Sequence, residues 1–232
     1  MNKVGLETLL VCDSICYVAT YSRLPDHLAK GAKDNTVDVH TFWDILQDVL
    51  VPIWPKDRTS VSGQPIGDAW PLRVLSKMHG SDDFSASIQP FHKLTQWLTY
   101  SLMVPMERLL GLRWLNGESL TALAEYRNGG LFVDLGVLGL KPHALERGLQ
   151  SSGGSLPMFK AEDDVIVEWR AMTIVLLDVV YAKVLASMGD AHLTLAQFLE
   201  AGTWKSGRRV AAQLRPETKS SPILIDSDGT VF

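Results

Sequence analysis

Cysteine is scarce in this sequence, and its scarcity excludes several classes of protein. Cys12 and Cys16 are the only cysteines among the 232 residues. Two thiols four positions apart on a predicted helix are too few for a disulfide framework or for a zinc site of their own. The sequence therefore predicts a protein of a reducing compartment, and we expect it in the cytoplasm.

An excess of positive charge is also absent. The chain has 22 Lys and Arg against 26 Asp and Glu, which gives a net charge of -4, and its pI is near 5.8. General binders of nucleic acids or of anionic membranes need a basic surface. We therefore expect neither a nucleic acid nor a membrane as partner, and the sequence leaves the oligomeric state open.

Long hydrophobic segments are missing as well. The longest apolar run, from Ala171 to Ala182, contains Asp178 and lies between Arg170 and Lys183. A run this short and this charged does not cross a bilayer. We interpret it as part of a buried core helix.

The sequence carries none of the common cofactor motifs. Six histidines are spread along the chain without paired ligand spacing, so no metal site is predicted. No Walker loop, dinucleotide fingerprint or nucleophile elbow occurs either. We expect a protein without metal or cofactor.

The composition that remains, 46% hydrophobic and 21% charged residues, is that of a soluble globular protein. Apolar periodicity and end signals predict a mainly α-helical fold with minor β hairpins. Helices are predicted at Gly5–Tyr21, at Thr41–Val51, from Pro90 to Pro105, which should kink or end the helix one turn before Gly111, at Glu118–Tyr126, Lys141–Gln150 and Asp164–Ser187, from Thr194 to Ala201, and from Thr203 to Leu214. Hairpins are predicted at Val61–Pro65 and around Asp228-Gly229, between Ile223–Ile225 and Thr230–Phe232.

These elements predict one architecture, in which the other helices pack around a buried helix at residues 164–188. That segment is apolar nearly all round, as expected of a central helix. We divide the chain into an N-terminal helical segment, residues 1–40, and a helical domain, residues 41–232. No internal repeat is present.

The densest run of polar residues in an apolar setting lies between Phe91 and Leu138. In the first part, Phe91–Leu102, His92 and Gln96 occupy a face beside an apolar helical stripe. Further on, the string Glu125-Tyr126-Arg127-Asn128 places a carboxylate, a phenol, a guanidinium and an amide in consecutive positions before two glycines. Such a segment can direct several polar groups into one cavity.

Several long strings resemble the uracil catabolism protein 4 family of fungi and bacteria, long catalogued as a domain of unknown function. They are Phe91–Leu102, Leu120–Leu138, Val167–Arg170, Gly202–Trp204 with Gly207–Arg209, and Ser227–Phe232. The resemblance runs in order from about Phe42 to Phe232. It implies a part in reductase-independent uracil breakdown, where a ribosylurea-type intermediate releases urea and a pentose unit. Family members also carry a further N-terminal half, which a chain starting at Met1 would lack.

A shorter likeness concerns Glu125-Tyr126-Arg127 after Leu120-Thr121-Ala122. This string resembles the acidic-Tyr-Arg string of the queuosine nucleotide N-glycosylases, whose fold is related to helix-hairpin-helix DNA glycosylases. Both resemblances imply cleavage of an N-glycosidic bond in a ribosylated small molecule. A nucleic-acid glycosylase is a third reading, against which the acidic net charge counts.

Cleavage of an N-glycosidic bond builds positive charge on the sugar, so carboxylates near that carbon stabilise the transition state or activate water. With the resemblance, this assigns Glu125 and Asp134 as catalytic carboxylates and Asp178, which we expect on the core-facing side of its helix, as a supporting acid. Arg127 and Arg208 would anchor the substrate. The remaining predicted pocket residues are Tyr126, Asn128, His92, Gln96 and Glu168.

Each assignment has a structural alternative. Glu125 and Arg127 are equally explained as a surface ion pair, and Asp178 as half of a buried pair with Arg127 or Arg208. Glu168 would also favour the helix dipole from the first turns of its helix, and His92 would serve as a simple cap. The competing function is a non-catalytic ligand-binding or assembly protein of the same pathway.

Overall fold

The computed structural model describes residues 24–55, 58–79, 84–189 and 192–227. Its helices are α1 Leu24–Gly31, α2 Val39–Leu50, α3 Arg73–His79, α4 Lys93–Leu110, α5 Tyr126–Asp134, α6 Pro142–Ser152, α7 Asp164–Met188, α8 Leu195–Gln197 and α9 Lys205–Leu214. Its strands are β1 Thr36–Asp38, β2 Ser60–Val61, β3 Gln64–Pro65, β4 Ala69–Pro71, β5 Ile88–Pro90, β6 Arg113–Leu115, β7 Met158–Lys160 and β8 Leu224–Asp226. The prediction of a mainly α fold with minor β structure is confirmed.

Two compact units divide the chain. The first contains the described residues up to Ile53 together with Trp97–Leu120, and the second contains Trp54–Gln96 with the described residues after Leu120. In the first unit β1 and β6 pair in parallel, and Phe42 and Leu46 of α2 are almost fully buried. The helix predicted at Thr41–Val51 and its apolar side are confirmed there.

The second unit holds α7 and three two-stranded sheets, β2 with β3, β4 with β5, and β7 with β8. Val167 on α7 packs with Trp70, Phe91 and Ala124 in one apolar cluster. Ile166 and Trp169, also on α7, pack with Phe159 of β7 and Ile223 in a second cluster. The first half of α7 therefore supplies the core of this unit.

One face of α7, from Met172 onward, corrects the prediction that this helix is buried all round. Met172, Val175 and Val179 are exposed by 39%, 54% and 47%, and they follow one another at intervals of three and four residues, along one face of the helix. By length and composition alone, α7 is the one helix among the described residues that could cross a membrane. Its first half, however, packs into the protein core.

The segment before α5 also differs from its prediction. Residues 118–126 do not form a helix that ends at Asn128-Gly129; α5 begins at Tyr126 and contains both of those residues. The physical reason is Glu125, whose side chain accepts hydrogen bonds from the backbone of Arg127 and Asn128 and so caps a new helix. The two glycines then serve close packing inside the helix instead of a turn.

Two further helix starts were predicted wrongly. Pro90 lies in β5, and the helix after it begins at Lys93. Thr194 caps its helix, as predicted. Thr203, in contrast, is an interior residue of a π-helical stretch, Phe198–Trp204, which joins α8 to α9 without a break. A threonine after a glycine resembles a helix cap in sequence, but here the helical backbone continues through Thr203.

The C-terminal strand occurs at Leu224–Asp226, where it pairs in parallel with β7. The predicted hairpin at Val61–Pro65 is confirmed by β2 and β3. The predicted helix Gly5–Tyr21 with its two cysteines, and the predicted turn and strand from Asp228 onward, lie outside the described residues.

Candidate functional site

A buried ion pair organises the polar interior of the second unit. Arg170 donates from Nη1 and Nη2 to the two oxygens of Asp68 at 2.7 and 2.8 Å. The side chains are exposed by only 2% and 1%. Two parallel charge-assisted hydrogen bonds of this kind fix both groups in orientation. The pair therefore connects the loop after β3 to the first half of α7.

Further donors complete the surroundings of Asp68. The indole of Trp70 donates to Oδ1 at 2.8 Å, and the backbone N–H of Lys93 donates to Oδ2 at 3.0 Å. Burial alone would raise the pKa of Asp68, but the charge and hydrogen bonds of Arg170 outweigh it, so the pKa is lowered. Asp68 is thus a fixed anion with its oxygens already occupied.

The turn between β5 and α4 encloses this anion. The backbone N–H groups of Phe91 and His92 both donate to the carbonyl of Asp68 at 2.9 Å. His92 has a left-handed backbone with φ of 43°. Burial lowers the pKa of His92 and of Lys93, because a charged side chain loses hydration there.

Glu125 lies at the start of α5 with its carboxylate turned to the helix. Oε2 accepts from the N–H of Arg127 at 2.7 Å and from the N–H of Asn128 at 3.1 Å. Burial raises the pKa of Glu125, although these bonds and the nearby charge of Lys93 oppose the effect. The site therefore holds two carboxyl groups whose pKa values are displaced in opposite directions, Glu125 upward and Asp68 downward.

Arg170 and Lys93 link these two carboxyl groups. The Nε of Arg170 donates to the carbonyl of Ala124 at 3.3 Å, next to Glu125, and its guanidinium lies 4.1 Å from the centre of the Phe91 ring. Lys93 interacts electrostatically with Glu125 and with Asp68. We call Asp68, His92, Lys93, Glu125 and Arg170 the polar cluster.

Several predicted pocket residues lie beside the polar cluster. Gln96 is buried, and its Oε1 accepts from the N–H of Thr121 at 3.4 Å. Asn128 is 1% exposed, and its Oδ1 has no hydrogen-bond partner among the described residues. The guanidinium of Arg127 lies 4.7 Å from the ring centre of Tyr126 and donates to the carbonyl of Lys219 at 2.6 Å.

The remaining predicted residues lie elsewhere. Asp134 accepts two hydrogen bonds from Arg215, at 2.9 and 2.6 Å. Asp178 is exposed, so the prediction that it faces the core is wrong, because the second half of α7 is largely uncovered. The guanidinium of Arg208 lies 4.8 Å from the ring centre of Trp204 on an exposed face of α9. These groups do not meet at the polar cluster.

Glu168 lines an open groove of about 320 Å³ on another face of α7. The groove runs between α3, the start of α6 and α7. Its lining residues are Arg73, Val74, Lys77, Val133, Leu138, Gly139, Leu140, Lys141, His143, Ala144, Arg147, Asp164, Val165, Glu168, Trp169, Met172 and Ile223. Trp169 also lines a narrow crevice at Glu125, Tyr126 and Arg170, which has no space for a water molecule.

Sequence reasoning did not select Asp68 or Lys93 as site residues. A signal for Asp68 existed: Arg170 lies in an apolar stretch of α7, and a buried guanidinium requires a carboxylate partner. The sequence instead suggested a pair between Asp178, which lies on the same helix, and Arg127 or Arg208. Lys93 carries no signal of its own, since a lysine at a helix start is usually solvated.

Among the described residues no group of three or more His, Cys, Asp or Glu side chains could hold a metal ion. The polar cluster contains one imidazole and two carboxyl groups, and Asp68 is already committed to Arg170. What the cluster offers chemically is a carboxyl group of raised pKa beside fixed positive charge.

Comparison with known proteins adds the following. A family model described as a protein of unknown function (DUF1688) matches residues 12–232. The relative called "Uracil catabolism protein 4" from Lachancea kluyveri is 48% identical over 221 residues, which cover 90% of this chain and 50% of the relative. "Protein urg3" from Schizosaccharomyces pombe is 51% identical over 208 residues, which cover 87% of this chain and 46% of the relative. The chain thus spans about half the length of these curated relatives, and no solved structure matches it.

Proposed function

The chain belongs to the DUF1688 family, and from this membership we propose that it acts in uracil catabolism by hydrolysing the N-glycosidic bond of a ribosylurea-type compound. The printed name of one relative supports the pathway. The observation that carries the chemistry is the buried Glu125 carboxyl, whose raised pKa contrasts with the lowered pKa of Asp68.

Two carboxyl groups with displaced pKa values serve different roles in bond cleavage. Burial favours the protonated form of Glu125, which can therefore donate a proton to the departing urea nitrogen as the bond to the sugar carbon breaks. The Glu125 carboxylate then accepts a proton from the water that adds to that carbon. The products are urea and the free pentose, and Glu125 regains its proton.

The neighbouring groups have supporting roles in this proposal. Asp68 keeps Arg170 fixed and contributes negative charge without contacting the substrate, because its oxygens are occupied. Tyr126, Asn128 and Arg127 would bind the sugar and the urea group from the start of α5. His92 and Gln96 would complete the pocket on the side of α4.

Three residues predicted from sequence take a lesser part. Asp134 is engaged by Arg215 and would stabilise the end of α5. Asp178 and Arg208 are exposed and receive no role at the polar cluster. We retain Glu125 as the single catalytic carboxyl group.

Access to Glu125 requires a movement. The crevice beside it is lined by Tyr126, Trp169 and Arg170 and has no space for a water molecule. Arg170 is fixed by Asp68 and Trp169 belongs to a buried cluster, so displacement of the partly buried Tyr126 ring is the step that would admit the substrate. Enzymes often open in this way to admit a substrate and then close over it, which excludes water from the site.

The test is urea release from ribosylurea and from its 5′-phosphate, measured with a urease-coupled assay. We expect the wild-type chain to release urea, and Glu125→Gln to lower the rate by about 10²- to 10⁴-fold, the range for loss of a general acid. Glutamine retains an oxygen that can accept the two N–H groups of the cap, so the fold is preserved.

The matched control is Glu162→Gln, which changes an exposed carboxylate outside the polar cluster and should leave the rate unchanged. Absence of urea release from the wild-type chain and from both longer relatives would contradict the proposal. So would an unchanged rate in Glu125→Gln.

A non-catalytic assembly role is the second candidate, and the closed crevice at Glu125 favours it. In that case the longer relatives release urea and this chain alone does not. Measuring all three proteins in one assay distinguishes the two functions.

A further inference from the structure

The groove between α3, α6 and α7 has the size of a small-molecule site. Its volume is about 320 Å³, which lies at the lower end of the range for ligand pockets. The groove has an apolar floor to which Leu140, Trp169 and Ile223 contribute, and Trp169 and Ile223 belong to the same buried cluster. A floor anchored in the core keeps its shape when the groove is empty.

Charged side chains in the groove are unequally distributed by sign. Arg73, Lys77, Lys141 and Arg147 line it, against the carboxylates Asp164 and Glu168. This local excess of positive charge occurs in a protein whose net charge is -4. An excess of one sign of charge in a concave surface attracts ligands of the opposite sign.

The two arginines are held in place by neighbouring acids. Arg73 lies 3.3 Å from Asp164, and Arg147 forms two hydrogen bonds with Asp163. Lys77 and Lys141 have no ion-pair partner among residues 24–55, 58–79, 84–189 and 192–227. Their ammonium groups are therefore the ones available to a ligand.

The start of α6 lies at the same place. Lys141 is the cap residue but makes no side-chain cap, and Pro142 follows as the first helical residue. The positive end of the helix dipole thus lies beside Lys141 and His143, and both of these residues line the groove. The helix start therefore adds to the positive potential that the lysines create in the groove.

We propose that this groove binds the phosphate monoester of a small molecule, with the phosphate at Lys77, Lys141 and His143 and the rest of the molecule against Trp169 and Leu140. A compact doubly charged group suits separated ammonium groups, which act as point charges. The groove shares Trp169 with the Glu125 crevice but is lined by no residue of the polar cluster, and the proposal does not depend on the glycosidase proposal.

Titration calorimetry with ribose 5-phosphate, ribose and inorganic phosphate tests the proposal. We expect ribose 5-phosphate to bind at least 10-fold more tightly than either of the others, because only this ligand combines the charge of a phosphate with a sugar that can lie against Trp169 and Leu140. The variant Lys77→Met with Lys141→Met should weaken its binding by at least 10-fold. Glu125→Gln should bind it as the wild-type chain does.

The control variant is Lys183→Met with Lys205→Met, which removes two exposed lysines outside the groove and should leave binding unchanged. An equal loss of affinity in this control would assign the binding to net charge and overturn the proposal. Equal binding of inorganic phosphate, or binding of ribose 5-phosphate no tighter than that of ribose, would overturn it as well.

Discussion

Arg170 and Asp68 form a pair whose two members depend on each other. Both side chains are almost fully buried, and removal of one charge leaves the other without compensation in the interior. We expect Asp68→Asn to lower the free energy of unfolding by about 3–5 kcal/mol, measured by urea denaturation. Asp68→Asn combined with Arg170→Met should regain part of that loss, because no isolated charge remains.

The exposed pair Arg73 with Asp164 provides the comparison for this experiment. Arg73 has a side chain that is 70% exposed, so Arg73→Met should cost less than about 1 kcal/mol. A loss of similar size in Asp68→Asn would mean that the buried pair contributes no more than a surface pair.

Glu125 predicts a dependence of stability on pH. Its pKa in the folded chain is raised by burial above the unfolded value of about 4.3, so the fold favours the protonated form. The contribution of Glu125 to the free energy of unfolding is therefore largest at low pH and falls as pH rises through the folded pKa. Asp68, whose pKa is lowered, acts in the opposite direction, and its contribution is lost as pH falls.

Glu125→Gln isolates this contribution, because glutamine does not titrate. We expect the variant to gain stability relative to wild type as pH rises from about 4 to 8, in urea denaturation at several pH values. Glu162→Gln, at an exposed position, should show no such trend. A stability difference independent of pH for Glu125→Gln would refute the raised pKa.

At the level of elements, α5 and α9 approach each other closely through glycine. A Cβ added at Gly207 would overlap the backbone carbonyl of Arg127, and backbone cannot move aside as a flexible side chain can. We expect Gly207→Ala to lower the free energy of unfolding by about 2 kcal/mol, within the range for overpacking, measured by thermal or urea denaturation.

Gly202→Ala is the matched variant in the preceding helical stretch. Its Cβ would lie 3.5 Å from the Phe198 ring, an ordinary contact, and alanine favours helix over glycine by about 1 kcal/mol. It should therefore be neutral or stabilising. If both variants behaved alike, the close approach of α5 and α9 would not be a constraint.

Sequence patterns identified the elements whose signals are local. The helix at Pro142–Ser152 begins at a proline, and Thr194 forms a full capping box with Gln197, so both were predicted near their true starts. The start of α5 was missed because Glu125 was read as a functional acid, although it also caps the helix. A cap residue and a catalytic carboxylate look the same in sequence.

The polar cluster was only half predicted, for a related reason. Glu125 and His92 stood out in a polar string, whereas Asp68 belongs to a loop rich in glycine and proline and pairs with Arg170 across 102 positions. No local pattern in the sequence indicates a partner so many positions away. Motif resemblance identified the family, since the family model matches nearly the whole chain, but it could not supply this pairing.

At the scale of the whole molecule, the exposed apolar face of α7 predicts surface behaviour. Met172, Val175 and Val179 lie uncovered along one side of the helix, and contiguous apolar surface of this kind binds hydrophobic dyes and promotes association. We expect the purified chain to bind anilinonaphthalene sulfonate and to self-associate with rising concentration. Val175→Lys with Val179→Lys should reduce both, in fluorescence and in size-exclusion chromatography.

Val137→Lys is the control, because Val137 is also exposed, by 57%, but lies in the loop after α5. It should leave dye binding and elution unchanged. Equal effects of the two changes would assign the behaviour to added charge and not to the face of α7.

The separation between Asp68 and Arg170 also has a consequence during synthesis on the ribosome. Arg170 is added 102 residues after Asp68, which at about 5–20 residues per second is a delay of about 5–20 s. Until then the nascent chain carries a carboxylate without its cation, in a segment that will become interior. The second unit can therefore complete its core only after translation has passed the first half of α7.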